Sequence, residues 1–153
     1  MNYFYTYNRK FCNLFIAEES GKIRNISFTK DKIPDDFTKG ETPLIKKAIN
    51  QIDEYFSGKR KTFNLPLVLH GTDFQIKVWN ALQQIPYGET RSYGEIAIMI
   101  KNPKACRAVG MANNRNPIAI VIPCHRVIGS DGSLVGFGGG LGVKEKLLGL
   151  ERF

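Results

Sequence analysis

The sequence predicts an α+β protein with a small mixed α/β domain over residues 1–70 and a mostly helical domain over residues 71–153. The first third contains short aromatic and β-branched segments separated by turn residues, a pattern typical of antiparallel strands. The second half contains apolar residues at helical spacing between capping and breaking signals. The two patterns meet near Gly71, where we expect the domain boundary.

The first domain is predicted to contain three strands and one helix. The strand segments are YFYTY, FCNLFIA and KIRNISF, with a turn from Glu18 to Gly21 between the last two. TPLIKKAINQIDEYFSG is predicted to be a helix, because Thr42 can cap it, Pro43 fits its first turn and Gly58 suits its end. The next segment, LPLVLHG, fits either a further strand or an extended linker.

The second domain is predicted to start with a helix over TDFQIKVWNALQQIPYG, in which Phe74, Val78 and Leu82 recur at helical spacing. Pro86 and Gly88 are expected to end this helix.

Two short helices are predicted to follow. Ser92 and Glu95 form an S-x-x-E capping box at the start of SYGEIAIMIK. Asn102 and Pro103 are expected to open the second helix, KACRAVGMANN, as its cap and first residue. Two short helices joined by a tight turn form a helix-turn-helix, although many helical cores also contain one.

The remaining segments are predicted more coarsely. IAIVI fits a buried strand or an extended segment, and a glycine-rich loop, GSDGSLVGFGGGLG, leads to a last helix, VKEKLLGLERF.

Composition and charge limit the classes of function. Hydrophobic residues make up 42% of the 153 residues, which permits a packed core. No run approaches the roughly 20 apolar residues of a membrane span, and MNYFYTYNRK lacks a signal-peptide pattern, so we expect a cytoplasmic protein without a membrane partner. The formal net charge of +8 suggests a polyanionic partner. Residues 90–130 hold a single acid against six basic residues, which are Arg91, Lys101, Lys104, Arg107, Arg115 and Arg126.

The segment IPCHRVIG places Cys124 beside His125. With Cys12 and Cys106 the cysteine count is odd, which argues against a disulfide framework. No CxxC or His-x3–5-His spacing indicates a metal site, although a scattered site that includes Cys12 and His70 stays open. Cys124 is therefore expected to be a free thiol, either reactive or inert.

The second helix of the predicted pair has a surface of small residues. Ala105, Ala108, Gly110 and Ala112 surround Arg107, and Gly110 costs roughly 1 kcal/mol against alanine inside a helix. Small residues let a helix backbone approach another helix or a DNA groove closely. The positive charge around this helix favours DNA as the partner.

PCHRV, followed by a glycine-rich loop and GLGVKEKLLGLE, resembles the O6-alkylguanine-DNA alkyltransferase (methylated-DNA–protein-cysteine methyltransferase) family. The resemblance continues through PYGETRSYGEIA, NPKACRAVG and NRNPIAIVIPCHRV and covers Phe74 to Glu151 closely. The N-terminal half matches in general layout only. The resemblance implies an RNase H-like first domain and a winged-helix/helix-turn-helix second domain.

The resemblance also implies the reaction. Family members bind double-stranded DNA through the minor groove, flip O6-alkylguanine out of the stack and transfer the alkyl group irreversibly to their own cysteine. It implies a monomer that acts once, in the nucleoid, with no cofactor and no metal. Activity on O4-alkylthymine stays an open question.

For the chemistry, the resemblance implies Cys124 as the nucleophile, His125 as its base and Glu151 as the group that orients His125. Neighbours in an extended chain point to opposite sides, so we expect a water to bridge Cys124 and His125.

Three further residues are assigned to the reaction by the resemblance. Asn116 is expected to hold the active-site turn together, and Tyr93 to protonate the leaving guanine and contact the phosphate. Lys144 is expected to support Tyr93 electrostatically.

Arg107 resembles the arginine that fills the gap left by the flipped base. Further expected DNA contacts are Ser92, Tyr93, Gly94, Asn102, Cys106, Ala108, Gly110, Asn114 and Ser130. The residues expected to line the base pocket are Asn113, Val127, Val135, Gly136, Phe137 and Gly138. Phe137 and Gly138 lack the hydroxyl groups that some relatives carry there, which leaves the breadth of the pocket open.

Three alternatives compete with this interpretation. Alkyltransferase-like proteins bind lesions without a nucleophilic cysteine, and the presence of Cys124 argues against that class. A methyl-sensing regulator usually carries additional domains, for which 153 residues leave no room. A cysteine hydrolase would use Cys124 and His125 repeatedly and would not need Arg107 or the helix pair.

Overall fold

The computed structural model describes residues 2–134 and 140–152, and it confirms the α+β class. The chain divides into two compact units, Met1–His70 with Pro117–Ala119, and Gly71–Asn116 with Ile120–Phe153. Among the described residues, no helix combines the length and apolar character needed to cross a membrane. The same residues contain no cluster of three or more His, Cys, Asp or Glu side chains suited to a metal ion.

The first unit is built on a four-stranded sheet in the order β3-β2-β1-β4. The strands are β1 (Asn2–Asn8), β2 (Asn13–Glu19), β3 (Lys22–Ser27) and β4 (Thr38–Lys39). The first three are antiparallel, as predicted, while β4 pairs with β1 in parallel and is too short to show in the sequence. The turn after β2 places Ser20 and Gly21 at φ of 50° and 83°, the conformation that closes two-residue hairpins.

Helix α1 (Pro43–Phe56) packs on the sheet through its buried side chains, which are Ile45, Ala48, Ile49, Gln51, Ile52 and Tyr55. Its predicted signals are confirmed, because the Thr42 side chain accepts the Ile45 amide hydrogen and Gly58 lies at φ 78°. The LPLVLHG segment is extended rather than a full strand, and only Leu67 forms an isolated bridge, with Ile23.

The second unit contains α2 (Asp73–Leu82), β5 (Arg91–Ser92), α3 (Tyr93–Met99), α4 (Cys106–Asn114), β6 (Val127–Ile128) and α5 (Leu141–Glu151). Helices α2, α3 and α4 pack on one another, so the helix-turn-helix is confirmed. Trp79 is buried among them, and its indole N–H donates to the Ala112 carbonyl oxygen at 2.9 Å. Helix α2 starts at a capping box formed by Thr72 and Gln75. It ends at Leu82, before the stop predicted at Pro86.

The start predicted for α4 is wrong. The helix begins at Cys106 after Ala105, and Asn102 does not cap it. Asn102 instead closes α3, because its amide donates to the Ala97 carbonyl oxygen while Lys101 adopts the left-handed conformation at φ 61°. This is the Schellman arrangement that ends helices. The Asn102-Pro103 pair therefore forms the turn between the two helices.

The IAIVI segment is buried but is not a regular strand. Residues 117–119 belong to the first unit, where Ile118 forms a bridge with Ile26 of β3. The chain then turns at Ile120, whose φ of 72° is uncommon for a β-branched residue. Such a conformation costs on the order of 1–3 kcal/mol, which the buried surroundings of Ile120 must offset.

Candidate active site

Cys124 lies in a 3₁₀ turn, Cys124–Arg126, rather than in an extended segment. The expectation that Cys124 and His125 point to opposite sides of an extended chain therefore rests on the wrong local conformation. All three cysteines are free thiols, with Cys106 exposed, Cys12 partly buried and Cys124 buried. The turn packs on α5, which brings the cysteine and its neighbours to the last helix of the domain.

His125 and Glu151 form a buried pair, with 2.6 Å between the His125 Nε2 and Glu151 Oε2 atoms. Burial lowers the pKa of His125, and the nearby cations of Arg126 and Lys144 act in the same direction, while Glu151 opposes them. His125 is therefore expected to be neutral at physiological pH, the state in which imidazole can accept a proton.

Arg126 also binds Glu151. Its Nε atom lies 2.8 Å from Glu151 Oε1 and its Nη2 atom 3.1 Å from Oε2, while Nη1 donates to the Ile85 carbonyl oxygen at 2.7 Å. The sequence interpretation counted Arg126 among the surface charges and missed this contact. No signal in the local sequence identifies this contact, because Glu151 and Ile85 lie 25 and 41 residues away from Arg126 along the chain.

A further donor to Glu151 is the backbone of Gly88, whose N–H lies 3.2 Å from Oε1. Gly88 has a φ of 82°, and a Cβ atom there would approach the Glu151 carbonyl oxygen to 3.2 Å. The loop between α2 and β5 can therefore contact the end of α5 closely because residue 88 is glycine.

Two asparagines, one in the last turn of α4 and one just after the helix, hold the backbone around Cys124. The Asn116 Nδ2 atom donates to the Ile122 carbonyl oxygen at 2.7 Å, and Asn113 Nδ2 lies 3.4 Å from the Cys124 carbonyl oxygen. Both side chains are buried. Asn116, expected to hold the active-site turn, thus contacts the backbone just before Cys124, and Asn113, expected in the base pocket, contacts the Cys124 carbonyl.

Tyr93 and Lys144 both lie within electrostatic range of Cys124. Burial raises the pKa of Tyr93, so its phenol keeps its hydrogen at physiological pH. Burial lowers the pKa of Lys144, whose ammonium group donates to the Val127 carbonyl oxygen at 2.5 Å. That contact holds Lys144 at β6, beside the reactive turn.

The residues expected to contact DNA lie mainly around α3 and α4. Arg107, Ala108 and Asn114 are exposed on α4, and Cys106 at its start is also exposed. Gly110 faces inward instead, since a Cβ atom there would lie 3.8 Å from the Tyr93 ring.

The other expected DNA contacts differ in how far they are exposed. Asn102 and Ser130 are exposed, whereas Ser92 and Gly94 are partly buried. The Ser92 hydroxyl accepts the Glu95 amide hydrogen in the predicted capping box.

Only some of the residues expected to line the base pocket lie within the described part of the chain. Val127 is buried, and its carbonyl oxygen binds Lys144. Val135, Gly136, Phe137 and Gly138 lie outside the described residues.

The structure is that of a two-unit protein whose second unit contains both a helix-turn-helix and the buried Cys124 thiol, next to the His125–Glu151 pair. The chain belongs to the 6-O-methylguanine DNA methyltransferase family. The ribonuclease-like domain of that family matches residues 2–69 and its DNA-binding domain matches residues 73–153. The resemblance inferred from PCHRV is thereby confirmed.

Individual relatives agree over most of the chain. A methylated-DNA–protein-cysteine methyltransferase of Methanosarcina mazei is 54% identical over 142 residues, covering 90% of this chain and 89% of the relative. The constitutive methyltransferase of Bacillus subtilis is 46% identical over 159 residues, covering 99% and 96%. The structure of Mycobacterium tuberculosis OGT in complex with DNA has a TM-score of 0.92 at 45% identity, covering 98% of this chain and 92% of that one.

Proposed function

We propose that this protein repairs O6-alkylguanine in double-stranded DNA by transferring the alkyl group irreversibly to Cys124, so that each molecule acts once. The observation that carries the proposal is the buried Cys124–Arg126 turn, in which the free thiol is followed by a histidine paired with Glu151. Relatives named methylated-DNA–protein-cysteine methyltransferases support the same activity.

The thiol proton is taken up first. An ordinary cysteine thiol has a pKa of about 8.5, so most of it is protonated at neutral pH and requires a base. Glu151 is an acceptor for the His125 Nε2–H, which leaves the lone pair on Nδ1. We assign Nδ1 of His125 as the acceptor of the Cys124 proton, through one bridging water.

The alkyl transfer then balances as a displacement. The Cys124 sulfur forms a bond to the alkyl carbon, and the bond between that carbon and guanine O6 breaks. Tyr93 donates its phenol proton to a ring nitrogen of the departing guanine and regains a proton from the protonated His125. The net result is an S-alkylcysteine and a guanine that carries the former Tyr93 proton, while the thiol proton has passed through His125 to restore the Tyr93 phenol.

Two further assignments concern the thiolate and its turn. The Lys144 ammonium lies within electrostatic range of Cys124, so we assign it to favour the thiolate. Asn116 holds the Ile122 carbonyl and thereby keeps the turn in the conformation that presents the sulfur.

DNA binding is assigned to the exposed face of α4 and to the turn before it. The Mycobacterium tuberculosis relative has been solved in complex with DNA, which supports a DNA-binding role for the matching domain. We propose that the protein binds as a monomer through the minor groove of nucleoid DNA. Arg107, exposed in the first turn of α4, is assigned to fill the gap left by the flipped base.

The decisive experiment follows the methyl group. Duplex DNA carrying O6-[methyl-labelled]guanine is incubated with the protein, and the label is located by peptide mass spectrometry. We expect at most one methyl group per protein, on Cys124, and none for Cys124→Ser. Cys12→Ser is the matched control, since Cys12 is a free thiol of the first unit, and it should retain full uptake.

The same measurement separates the alternatives. Tight lesion binding without labelled Cys124 would identify a non-catalytic lesion-binding protein. Release of more than one equivalent of product would identify a hydrolase.

A further inference from the structure

We propose that Arg126 is a positioning residue for proton transfer, because its guanidinium fixes the Glu151 carboxylate in the orientation that sets the tautomer and direction of the His125 ring. This inference rests on the proposed function, since it assigns Arg126 a role in the activation of Cys124.

The first support is the geometry of the guanidinium. Three hydrogen bonds fix its plane, two to the Glu151 carboxylate and one to the Ile85 carbonyl oxygen. Arg126 is only 6% exposed, and its guanidinium carbon lies 5.7 Å from the centre of the Tyr87 ring. A side chain held in this way has little freedom to follow the carboxylate, so the carboxylate must conform to it.

The second support is that Arg126 and His125 share one acceptor. Glu151 Oε2 lies 2.6 Å from His125 Nε2 and 3.1 Å from Arg126 Nη2. Arginine only donates and does not lose its proton in proteins, so the carboxylate beside it stays ionised. An ionised carboxylate accepts only, so Nε2 must carry the hydrogen and Nδ1 the lone pair that takes the thiol proton.

The third support is electrostatic. The charged and titratable groups around His125 are Cys124 and Arg126 from its own turn and Lys144 and Glu151 from α5. The Arg126 cation opposes protonation of His125 and thereby offsets the attraction of the neighbouring carboxylate. Without Arg126, the buried Glu151 carboxylate would lose its bidentate partner. Either His125 or Glu151 would then take up a proton more readily.

The test compares Arg126→Met and Arg126→Lys with the unaltered protein. The rate of methyl transfer from duplex DNA that carries O6-methylguanine is measured from pH 5.5 to 8.5 in single-turnover reactions, together with the final number of methyl groups per protein. For Arg126→Met we expect an acidic limb displaced to higher pH. The maximal rate should fall about 10- to 100-fold, which is less than the full contribution of a general base because His125 itself is retained. Arg126→Lys keeps the positive charge but cannot form the bidentate contact. Its maximal rate and acidic limb should lie between those of Arg126→Met and of the unaltered protein.

The end point of the reaction separates positioning from folding. A positioning role lowers the rate while each folded molecule still takes up one alkyl group. A purely structural role would lower the final uptake, leave the rate of the surviving fraction unchanged and keep the acidic limb in place, and that result would overturn the inference. If Arg126→Met does not fold, the rate, acidic limb and final uptake of Arg126→Lys are compared with those of the unaltered protein instead.

Arg60→Met is the matched control. Arg60 also contacts a glutamate, with its Nε atom 2.9 Å from Glu54 Oε1, and donates to a backbone carbonyl oxygen, that of Thr62. It lies in the first unit, so its loss should change neither rate nor pH profile. Absence of labelled Cys124 in the unaltered protein would refute the proposed function itself, whereas normal labelling with unchanged Arg126 variants would refute only this inference.

Discussion

Among the described residues, the donors at the Glu151 carboxylate include His125 Nε2, Arg126 Nε and Nη2, and the Gly88 amide. Breaking a buried ion pair by removing one partner costs about 3–5 kcal/mol, because the remaining charge is left uncompensated. We therefore expect Glu151→Gln to lower the free energy of unfolding by about 3 kcal/mol, as measured by urea denaturation followed by tryptophan fluorescence.

Glu145→Gln provides the comparison for Glu151→Gln. Glu145 is exposed on the same helix, and substitutions at such positions usually change stability by less than about 0.5 kcal/mol. Equal effects of the two substitutions would show that the four contacts contribute nothing specific.

His125 should make the stability of the protein depend on pH. Burial lowers the pKa of His125 in the folded protein, whereas in the unfolded chain it should titrate near the ordinary value of about 6.5. As the pH falls through about 6.5, the unfolded chain binds a proton that the folded protein does not, so the free energy of unfolding decreases. Urea unfolding at pH 7.5, 6.5 and 5.5 should therefore give a falling midpoint.

Substitution separates His125 from other titrating groups. His125→Gln should flatten the dependence on pH over this interval, while His70→Gln should retain the part of it that His125 contributes. A midpoint that falls equally in both variants would assign the effect to other residues.

At the scale of single residues, the sequence singles out candidate residues but not the contacts that hold them. The PCHRV motif directs attention to Cys124 and His125, and the resemblance in α5 to Glu151, which the structure pairs with His125. Arg126 could not be recognised as part of the same cluster, because its partners Ile85 and Glu151 lie far from it in sequence. Its formal charge suggested solvent exposure, and only the fold shows that it is buried.

Among the helices, α4 offers a test of what its glycine does. A Cβ atom at Gly110 would make ordinary contact with the Tyr93 ring at 3.8 Å, and alanine is better than glycine in a helix interior by roughly 1 kcal/mol. We expect Gly110→Ala to stabilise the protein by about 0.5–1 kcal/mol in thermal unfolding. Its affinity for duplex DNA, measured by fluorescence anisotropy, should remain within about twofold.

Ala108→Leu is the contrasting variant for α4. Ala108 is exposed on the face assigned to DNA, so a larger side chain should keep α4 from approaching the duplex and weaken binding. If Gly110→Ala weakens binding as strongly as Ala108→Leu, the contact of Gly110 with DNA expected from the sequence would be favoured over its packing against Tyr93.

The elements whose local signals agree were predicted well. Thr42 and Pro43 at α1 and the Ser92–Glu95 box at α3 each begin a helix, as expected. Asn102-Pro103 carries the same signals but serves the end of α3, because Lys101 adopts the left-handed conformation and makes the Asn102 amide available to Ala97. Asn102 and Pro103 are compatible both with the end of one helix and with the start of the next. The local sequence does not show which of the two they form.

For the whole molecule, DNA binding should depend on salt through the exposed cations of the second unit. Lys101, Lys104, Arg107 and Arg115 are exposed, whereas Arg126 is buried against Glu151 and should not contribute. We expect the logarithm of the binding constant to fall linearly with the logarithm of the salt concentration. Lys104→Ala should reduce the slope by about 1.

Lys59→Ala is the control for the salt dependence, since Lys59 is an exposed lysine of the first unit. Affinity and slope should both be unchanged in this variant. A slope that is the same for Lys104→Ala and the unaltered protein would remove Lys104 from the set of phosphate contacts.

Pro117–Ala119 belongs to the first unit although the residues on either side belong to the second. The polypeptide therefore passes between the units three times, after His70, after Asn116 and after Ala119. Gene fragments cut at residue 70 would separate β3 from this tripeptide. The Ile26 amide donates to the Pro117 carbonyl oxygen, and the Ala119 amide donates to the Ile26 carbonyl oxygen. A protein engineer who wishes to exchange the first domain between relatives must therefore transplant this tripeptide together with it, five residues ahead of the reactive cysteine.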